Sequence, residues 1–366
     1  MKKLRDLLYG VSLQQVVGST NVGITAIAFD SRLVTPGTLF VAVKGTQADG
    51  HDYIEKAIAL GATAILCENL PTALAAGVHY VKVDQSAKAL GTVAANFYDH
   101  PSSELKLVGI TGTNGKTTMA TLLFQLFREL GYKVGLLSTV QNQINQEIIS
   151  ATHTTPDPIA LNQLLRKMVI AGCDYCFMEV SSHAIHQNRI AGLDFAGGVF
   201  TNITHDHLDY HKSFDDYIRA KKKFFDQLSS NAIAIVNKDD KHGATMLHHS
   251  KATKKTFAFR SVADYKCKII ESQFSGLHLN INGIEVHTKL IGHFNAANIL
   301  LTYAAAVELG EDALQTLTVL SALNPVDGRF QHLKTESGVT AIVDYAHTPD
   351  ALENVLKTID IIRSGT

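Results

Sequence analysis

The 366-residue sequence has no tryptophan, only seven prolines and only four cysteines. Four cysteines are too few for the disulfide framework that holds small secreted proteins together. Cys173 and Cys176 form a Cys-x-x-Cys pair without a second pair to complete a zinc site. We therefore expect small buried cysteines, with a redox or zinc half-site as the alternative.

The sequence also lacks an excess of either charge and a long apolar run. Its formal net charge is −1, which gives no support for a general nucleic-acid or membrane surface. No apolar run reaches the ~18 residues that a membrane-spanning helix needs. Lys2 and Lys3 resemble the start of a signal peptide, but Arg5 and Asp6 interrupt the apolar region that would have to follow. We therefore expect a cytoplasmic protein.

Length and patterning predict a multi-domain α/β protein. The chain is 46% hydrophobic, and short apolar segments alternate with amphipathic ones, which predicts a mostly parallel, doubly wound sheet. Two strand-like segments flank Asn282-Gly283, which predicts a type I′ hairpin and a small antiparallel part. The expected domains are a small N-terminal α/β domain (1–102), a central phosphate-loop domain (103–331) and the start of a third, Rossmann-like domain (332–366). One strand and one helix cannot bury a core, so we expect this third domain to be cut off.

The centre of the sequence carries a candidate nucleotide site. Leu105, Leu107, Val108 and Ile110 form a short apolar run, residues 111–118 read TGTNGKTT, and an apolar 3.6-residue periodicity follows. This order predicts a strand, a glycine loop and a helix, whose N-terminus can receive a phosphate. Lys116 would reach the β- and γ-phosphates and the Thr117 hydroxyl a magnesium ion. Ile110 stands where the general phosphate-loop pattern has glycine, so an ordinary strand–helix turn is the alternative.

A carboxylate ends another predicted strand. Residues 177–180 are apolar except for Glu179. An acidic residue at the carboxyl end of a strand, beside a phosphate loop, suits a magnesium ligand.

A histidine-rich segment offers a rival interpretation. His205, His207, Asp209 and His211 alternate with other residues, much like the His-x-His-x-Asp-His motif of dizinc hydrolases of the metallo-β-lactamase type. Here Tyr210 is inserted, which turns the last imidazole to the other face of an extended segment. Some of these histidines are expected to be structural, and one beside a magnesium–phosphate site is chemically reasonable.

Several motifs resemble those of the Mur ligase family. The loop at 111–118 looks like the ATP loop of that family, whose own pattern accounts for the missing glycine. The segments MEVSSH (178–183), FTN (200–202) and HDHLDYH (205–211) are also similar to family motifs. Residues 30–32 and 45–50 resemble its uridine-nucleotide domain, and the resemblance spans nearly the whole chain.

The resemblance implies an activity. It points to an ATP-dependent ligase, with Mg²⁺, that adds meso-2,6-diaminopimelate or L-lysine to UDP-N-acetylmuramoyl-L-alanyl-D-glutamate during peptidoglycan precursor synthesis. The reaction would pass through an acyl phosphate. The implied partners are this UDP-linked substrate and an amino acid, with no nucleic acid or membrane, and the protein would be a monomer. A catalytically incomplete fragment that binds nucleotide and UDP-substrate is the alternative, because the residues that choose the amino acid normally lie in the third domain.

The resemblance also assigns roles residue by residue. It places ATP at Gly112, Thr113, Asn114, Gly115, Lys116, Thr117, Thr118, Asn298, Arg329 and Asp344. It places the UDP-linked substrate at Ser31, Thr46, Gln47, Thr154, Thr155, Ser181, Gln187 and Arg189. It gives catalysis to Lys116, Glu179, His207 and Lys221, and metal binding to Thr117, Glu179, His207 and Lys221. Lys221, in the motif Tyr-x-x-Ala-Lys, would be carbamylated (N6-carboxylysine). Without the resemblance, Lys221 would be interpreted as part of a solvated basic helix face.

Overall fold

The computed structural model describes residues 1–45, 48–151, 153–206, 210–334 and 339–363. Within these ranges the helices are α1 (Leu4–Leu7), α2 (Ile54–Ala59), α3 (Ser86–Phe97), α4 (Lys116–Glu129), α5 (Pro158–Ile170), α6 (Ser182–His186), α7 (Phe214–Asp226), α8 (Gly243–Leu247), α9 (His293–Glu308), α10 (Ala313–Ala322) and α11 (Pro349–Ile362). The strands are β1 (Lys2–Lys3), β2 (Leu13–Val17), β3 (Gly23–Ile24), β4 (Ala26–Ala28), β5 (Thr38–Val41), β6 (Ala62–Cys67), β7 (His79–Val83), β8 (Lys106–Thr111), β9 (Val134–Leu137), β10 (Gln141–Ile144), β11 (Glu147–Ser150), β12 (Tyr175–Glu179), β13 (Gly197–Phe200), β14 (Ile233–Asn237), β15 (Thr253–Ala258), β16 (Tyr265–Gln273), β17 (Gly276–Ile281), β18 (Ile284–Thr288), β19 (Gln331–Lys334) and β20 (Thr340–Val343).

The first of two compact units is built from residues 1–104, 156–170 and 183–194. Its main sheet has the order β2-β7-β6-β5-β4, parallel except for β2. Successive side chains of a strand face opposite sides of the sheet. On β5, Leu39 joins one apolar cluster and Phe40 the other. Both faces of this strand are therefore buried, as in other parallel sheets.

The second unit, residues 105–155, 171–182 and 195–366, carries a large sheet. Among the described residues its order is β11-β10-β9-β12-β8-β13-β14-β15-β16-β17-β18. Neighbours from β9 to β16 run parallel. Antiparallel pairs extend the sheet at both edges. This confirms the predicted α/β class with a mostly parallel sheet and a small antiparallel part.

Helix α4 is buried along the face that the sequence periodicity indicated. Met119, Leu122, Leu123, Leu126 and Phe127 are all inaccessible to solvent and belong to the main apolar cluster of the second unit. Burying a side chain of this size stabilises a fold by about 1.5–3 kcal/mol. The glycine loop before α4 is therefore attached to a firmly packed helix.

The predicted hairpin is also present. β17 and β18 pair antiparallel, with Ile281 opposite Ile284. Asn282 and Gly283 between them both have positive φ, +47° and +91°. A type I′ turn requires positive φ at both central residues, so the Asn-Gly signal is confirmed.

The last described residues add a small substructure to the second unit. β19 pairs antiparallel with β20, and the Thr348 hydroxyl accepts a hydrogen bond from the Ala351 N–H at the start of α11. Ile362 packs with Ile291 and Phe330 in a small apolar cluster.

The domain limits inferred from the sequence stay predictions. No helix in the described ranges has an apolar stretch long enough to cross a bilayer.

The cysteines give a first test in solution. All four are buried free thiols, which confirms the expectation of small buried residues. Burial raises the pKa of the Cys173 thiol to about 11, and only the thiolate reacts readily. We expect a thiol reagent at about pH 8 to modify the native protein far more slowly than the unfolded protein. Rapid modification of two thiols in native protein, together with bound zinc, would favour the half-site alternative.

Candidate functional site

The glycine loop joins β8 to α4 in a conformation that depends on its glycines. Gly112 and Gly115 have φ of +151° and +86°, a region that other residues rarely adopt. A Cβ on Gly112 would lie 1.9 Å from Thr201 Oγ1, and one on Gly115 would lie 2.7 Å from Asn298 Oδ1. The loop therefore needs glycine at both positions for backbone angle and for space.

Residues that follow β13 hold the loop from the side. The Asn114 N–H donates to Asn202 Oδ1 at 3.0 Å, and Asn202 Nδ2 donates back to Asn114 O at 3.1 Å. The Thr201 hydroxyl donates to the same carbonyl at 2.6 Å. The Thr113 hydroxyl lies 3.1 Å from the Tyr217 hydroxyl of α7. The loop is thus fixed before any ligand arrives, which lowers the entropy cost of binding one.

Two lysines from different helices meet at one carbonyl oxygen of this loop. Lys116 Nζ donates to Gly112 O at 3.0 Å and to Thr113 O at 2.8 Å. Lys221 Nζ, from α7, also donates to Gly112 O, at 2.8 Å. Burial lowers the pKa of Lys221 well below its ordinary value, and the nearby charge of Lys116 lowers it further, while Asp206 acts in the opposite direction. Lys221 is 1% exposed, so the solvated-face interpretation is wrong.

Glu179 is the last residue of β12 and is also 1% exposed. Its carboxylate accepts hydrogen bonds from the Thr139 N–H at 2.7 Å and from the Thr139 hydroxyl at 3.2 Å. Behind it, the Thr155 hydroxyl donates to the Glu179 carbonyl at 2.8 Å. An ionised carboxylate has about four acceptor sites, so acceptor capacity is left for a further ligand.

A cavity of about 360 Å³ in the second unit gathers most of the predicted nucleotide and metal residues. The predicted site residues that line it are Thr113, Asn114, Gly115, Lys116, Thr117, Thr118, Thr154, Glu179, Ser181, Lys221, Asn298, Arg329 and Asp344. Hydroxyl, amide, carboxylate and ammonium groups therefore converge on one concave surface, as binding sites for small polar molecules require.

The far wall of the cavity comes from the C-terminal part of the chain. The Arg329 guanidinium donates to the Thr117 hydroxyl at 2.9 Å and lies 4.7 Å from the ring centre of Tyr345. The Asp344 carboxylate accepts from the Phe330 N–H at 2.6 Å and from the Ala346 N–H at 2.7 Å. Asp344 therefore ties together the two backbone segments that carry Arg329 and Tyr345.

Other predicted site residues within the described ranges do not line this cavity. Ser31, Gln187 and Arg189 belong to the first compact unit, where Arg189 Nε donates to Gln187 Oε1 at 2.9 Å. Three further predictions, Thr46, Gln47 and His207, lie outside the described residues.

Two of the three motif histidines have contacts that explain them structurally. The ring of His205 stacks on Phe214, with ring centres 4.4 Å apart. His211 is buried, and its Nε2 lies 3.0 Å from the Ser182 hydroxyl. The described part of the chain holds no group of three or more His, Cys, Asp or Glu side chains arranged for a metal ion. His207 and Asp209 are outside that part, so the dizinc alternative is not tested by this observation.

The donor atoms suit magnesium. Carboxylate and hydroxyl oxygens are the protein ligands that Mg²⁺ takes, usually one or two of them beside phosphate and water. The Glu179 carboxylate and the Thr117 hydroxyl both line the cavity, and Glu179 retains free acceptor sites. The residues therefore fit this ion.

Sequence reasoning missed several polar residues of the site. Thr139, Asp206 and Asn237 line the cavity but belong to none of the predicted roles. Asn237 could have been predicted from the rule that ligand sites lie at the carboxyl ends of parallel strands, because it ends β14 at that edge of the sheet. Thr139 follows β9 in the same way, so its position at a strand end was a usable signal.

Family comparison identifies the class of protein. The Mur ligase middle domain model matches residues 110–306, the model of the Mur ligase family catalytic domain matches residues 23–98, and that of the Mur ligase glutamate ligase domain matches residues 328–365. The chain belongs to the Mur ligase family, which confirms the resemblance drawn from its motifs. The comparisons do not support the expectation of a third domain cut off in this chain.

Two relatives and one solved structure that are similar to this chain carry the same enzyme name. A UDP-N-acetylmuramoyl-L-alanyl-D-glutamate–2,6-diaminopimelate ligase of Cytophaga hutchinsonii is 55% identical over 364 residues, covering 99% of this chain and 75% of that protein. The ligase of the same name from Phocaeicola vulgatus is 53% identical over 363 residues, with the same coverage of both chains. A solved structure of a ligase of this name is 26% identical with a TM-score of 0.84 and covers 100% of this chain and 75% of its own.

Proposed function

We propose that this chain joins 2,6-diaminopimelate to UDP-N-acetylmuramoyl-L-alanyl-D-glutamate in a reaction driven by ATP. The observation that supports this most is the 55% identity over nearly the whole chain to a ligase of that name. The cavity supports it independently, because its glycine loop, Lys116 and Glu179 suit a magnesium–triphosphate.

In the proposed complex the loop residues Gly112 to Thr118 surround the phosphates, and Lys116 turns from its loop carbonyls toward the β- and γ-phosphates. Thr117 and Glu179 would hold one Mg²⁺, and His207 would sit at a second. These ions would neutralise part of the phosphate charge. Asn298, Arg329 and Asp344 contact the adenine nucleotide.

The residues that we assign to the UDP-linked substrate are likewise part of this proposal. Ser31 and the Thr46–Gln47 segment hold the UDP part. By the family resemblance, a role in holding the muramoyl-dipeptide is assigned to Thr154, Thr155, Ser181, Gln187 and Arg189. Thr154 and Ser181 line the same cavity as the loop, which supports placing the reacting carboxylate beside the triphosphate.

The chemistry explains why these residue types are needed. A carboxylate is a poor acylating agent, so the D-glutamate carboxylate first takes the γ-phosphoryl group of ATP, giving an acyl phosphate and ADP. The amine of the incoming amino acid then attacks the acyl carbon, the amide bond forms and inorganic phosphate leaves. Lys116 and the backbone N–H groups of the loop reduce the repulsion between the two anions that must meet.

Lys221 has the environment that carbamylation requires. A neutral amine adds to CO₂, giving a carbamate and releasing one proton. The pKa of Lys221 is lowered by burial and by Lys116, so its neutral form is available at lower pH than that of an exposed lysine. A carbamate would turn this cation into an anionic oxygen ligand. We propose that this form of Lys221 takes part in metal binding.

A ligation assay tests the proposed function. The protein is mixed with UDP-N-acetylmuramoyl-L-alanyl-D-glutamate, ATP, Mg²⁺ and either meso-2,6-diaminopimelate or L-lysine, and both ADP and the amide product are measured. We expect equimolar ADP and product with diaminopimelate, and little with lysine. Nucleotide binding without turnover would favour the incomplete-fragment alternative. Stoichiometric zinc without nucleotide affinity would favour the dizinc hydrolase.

A further inference from the structure

The turn after β9 places one threonine beside the end of β12. β9 and β12 are parallel neighbours, with Leu137 opposite Met178, so the residues that follow them lie at the same edge of the sheet. The turn is closed by the Ser138 hydroxyl, which donates to Gln141 O at 2.8 Å. Thr139, inside this turn, is half-buried and lines the cavity.

The hydroxyl of Thr139 has two acceptors within reach. It lies 3.2 Å from Glu179 Oε2 and 3.1 Å from Thr154 Oγ1. A hydroxyl carries a single proton, so at any moment it donates fully to one of them only. The Thr139 N–H, by contrast, has one acceptor here, Glu179 Oε1 at 2.7 Å, and keeps the carboxylate in place whichever way the hydroxyl turns.

The choice between the two acceptors depends on what Thr154 does. When Thr154 donates its own proton to a ligand, its oxygen becomes a stronger acceptor, because hydrogen bonds in a chain polarise one another. The Thr139 hydroxyl then turns toward Thr154, and Glu179 Oε2 loses a hydrogen bond. A carboxylate oxygen relieved of one donor is a better ligand for a cation.

We propose that Thr139 is a positioning residue whose hydroxyl couples the UDP-linked substrate at Thr154 to the metal-nucleotide at Glu179. The inference rests on the proposed roles of Thr154 and Glu179. Substrate binding frees an oxygen of Glu179, so metal and nucleotide bind more tightly to the substrate complex than to the free protein. Because such coupling is reciprocal, bound metal-nucleotide strengthens substrate binding by the same factor.

Calorimetry with Mn²⁺ and ADP tests this coupling. The apparent Kd of Mn²⁺–ADP is measured with and without UDP-N-acetylmuramoyl-L-alanyl-D-glutamate in the wild type, Thr139→Val and Thr139→Ser. We expect the substrate to tighten Mn²⁺–ADP binding about fivefold in the wild type and to leave it unchanged within about 1.5-fold in Thr139→Val. Thr139→Ser, which keeps the hydroxyl, should retain most of the coupling.

A matched threonine serves as the control. Thr318 lies exposed on α10, and its hydroxyl donates to Leu314 O in the same helix, so Thr318→Val should leave the coupling intact. Thermal unfolding checks the fold, and Thr139→Ala replaces the valine variant if that one unfolds early. Coupling that survives in the folded valine or alanine variant, or that is lost in the serine variant, overturns the inference while leaving the ligase proposal standing. A wild-type protein that ligates but shows no coupling also overturns the inference and leaves the ligase proposal standing. A wild-type protein that does not bind Mn²⁺–ADP contradicts both the inference and the ligase proposal.

Discussion

Replacement of Lys116 by alanine should lower ATP-dependent ligation by at least about a hundredfold, the usual effect of removing one group that stabilises charge in a transition state. The ammonium group is held at the loop by the carbonyls of Gly112 and Thr113. It is thus poised to move onto a triphosphate that replaces these partners. Steady-state release of ADP in the presence of all substrates measures the loss, and calorimetric titration with Mg²⁺–ADP measures the accompanying loss of affinity.

A second lysine separates this effect from a general loss of charge. Lys133 lies exposed just before β9, so Lys133→Ala should retain the activity of the wild type. Thermal unfolding of both variants shows whether the fold survives the loss of two hydrogen bonds. A folded Lys116→Ala protein with activity within about tenfold of wild type would contradict the role proposed for this residue.

Replacement of Lys221 by alanine should abolish most of the activity, and short carboxylates such as formate or acetate should restore part of it. The substitution empties a buried volume beside Gly112 O, and a small anion that enters it replaces the carboxylate of the proposed carbamate. With ¹³C-labelled bicarbonate, the wild type should show a carbamate carbon signal that the variant lacks. This signal should grow as pH rises through the lowered pKa of Lys221, because only the neutral amine reacts.

The next residue on the same helix is the control. Lys222 Nζ pairs with the Asp226 carboxylate one turn away, so Lys222→Ala removes a cation from α7 without opening a cavity at the loop. It should keep its activity, and acetate should not change it. If the Lys221→Ala protein is folded and acetate or formate restores nothing, the carbamate assignment is contradicted.

The elements that could be predicted from the sequence were those whose local pattern and burial agree. The strand, loop and helix at residues 106–129 combine an apolar run, glycines and a periodic buried face, and all three are present. β10 was missed because the Gln141–Ile144 segment is mostly polar, without the alternation typical of a half-buried strand. Its strand conformation depends on pairing with β9, which is a tertiary interaction.

The site shows the same division between local and tertiary information. Glu179 could be proposed because a lone carboxylate in an apolar strand is conspicuous in a sequence. The burial of Lys221 could not be deduced without a family motif, since three consecutive lysines on an amphipathic helix look solvated. The position of Thr139 after a strand end was a usable signal, but its contacts could not be deduced, because its partners, Glu179 and Thr154, are 40 and 15 residues away and no spacing rule joins them.

The shared acceptor at Gly112 has a consequence for how measurements on the two lysines should be interpreted. A carbonyl oxygen has two lone pairs, and here the Nζ atoms of both lysines donate to it. When one of these groups leaves, the other gains a less crowded acceptor and loses a repulsive neighbour. The free-energy effects of removing Lys116 and Lys221 are therefore not independent. The summed free-energy effects of the two single variants will differ from the effect of the double variant. Neither lysine therefore has a contribution that can be assigned to it alone.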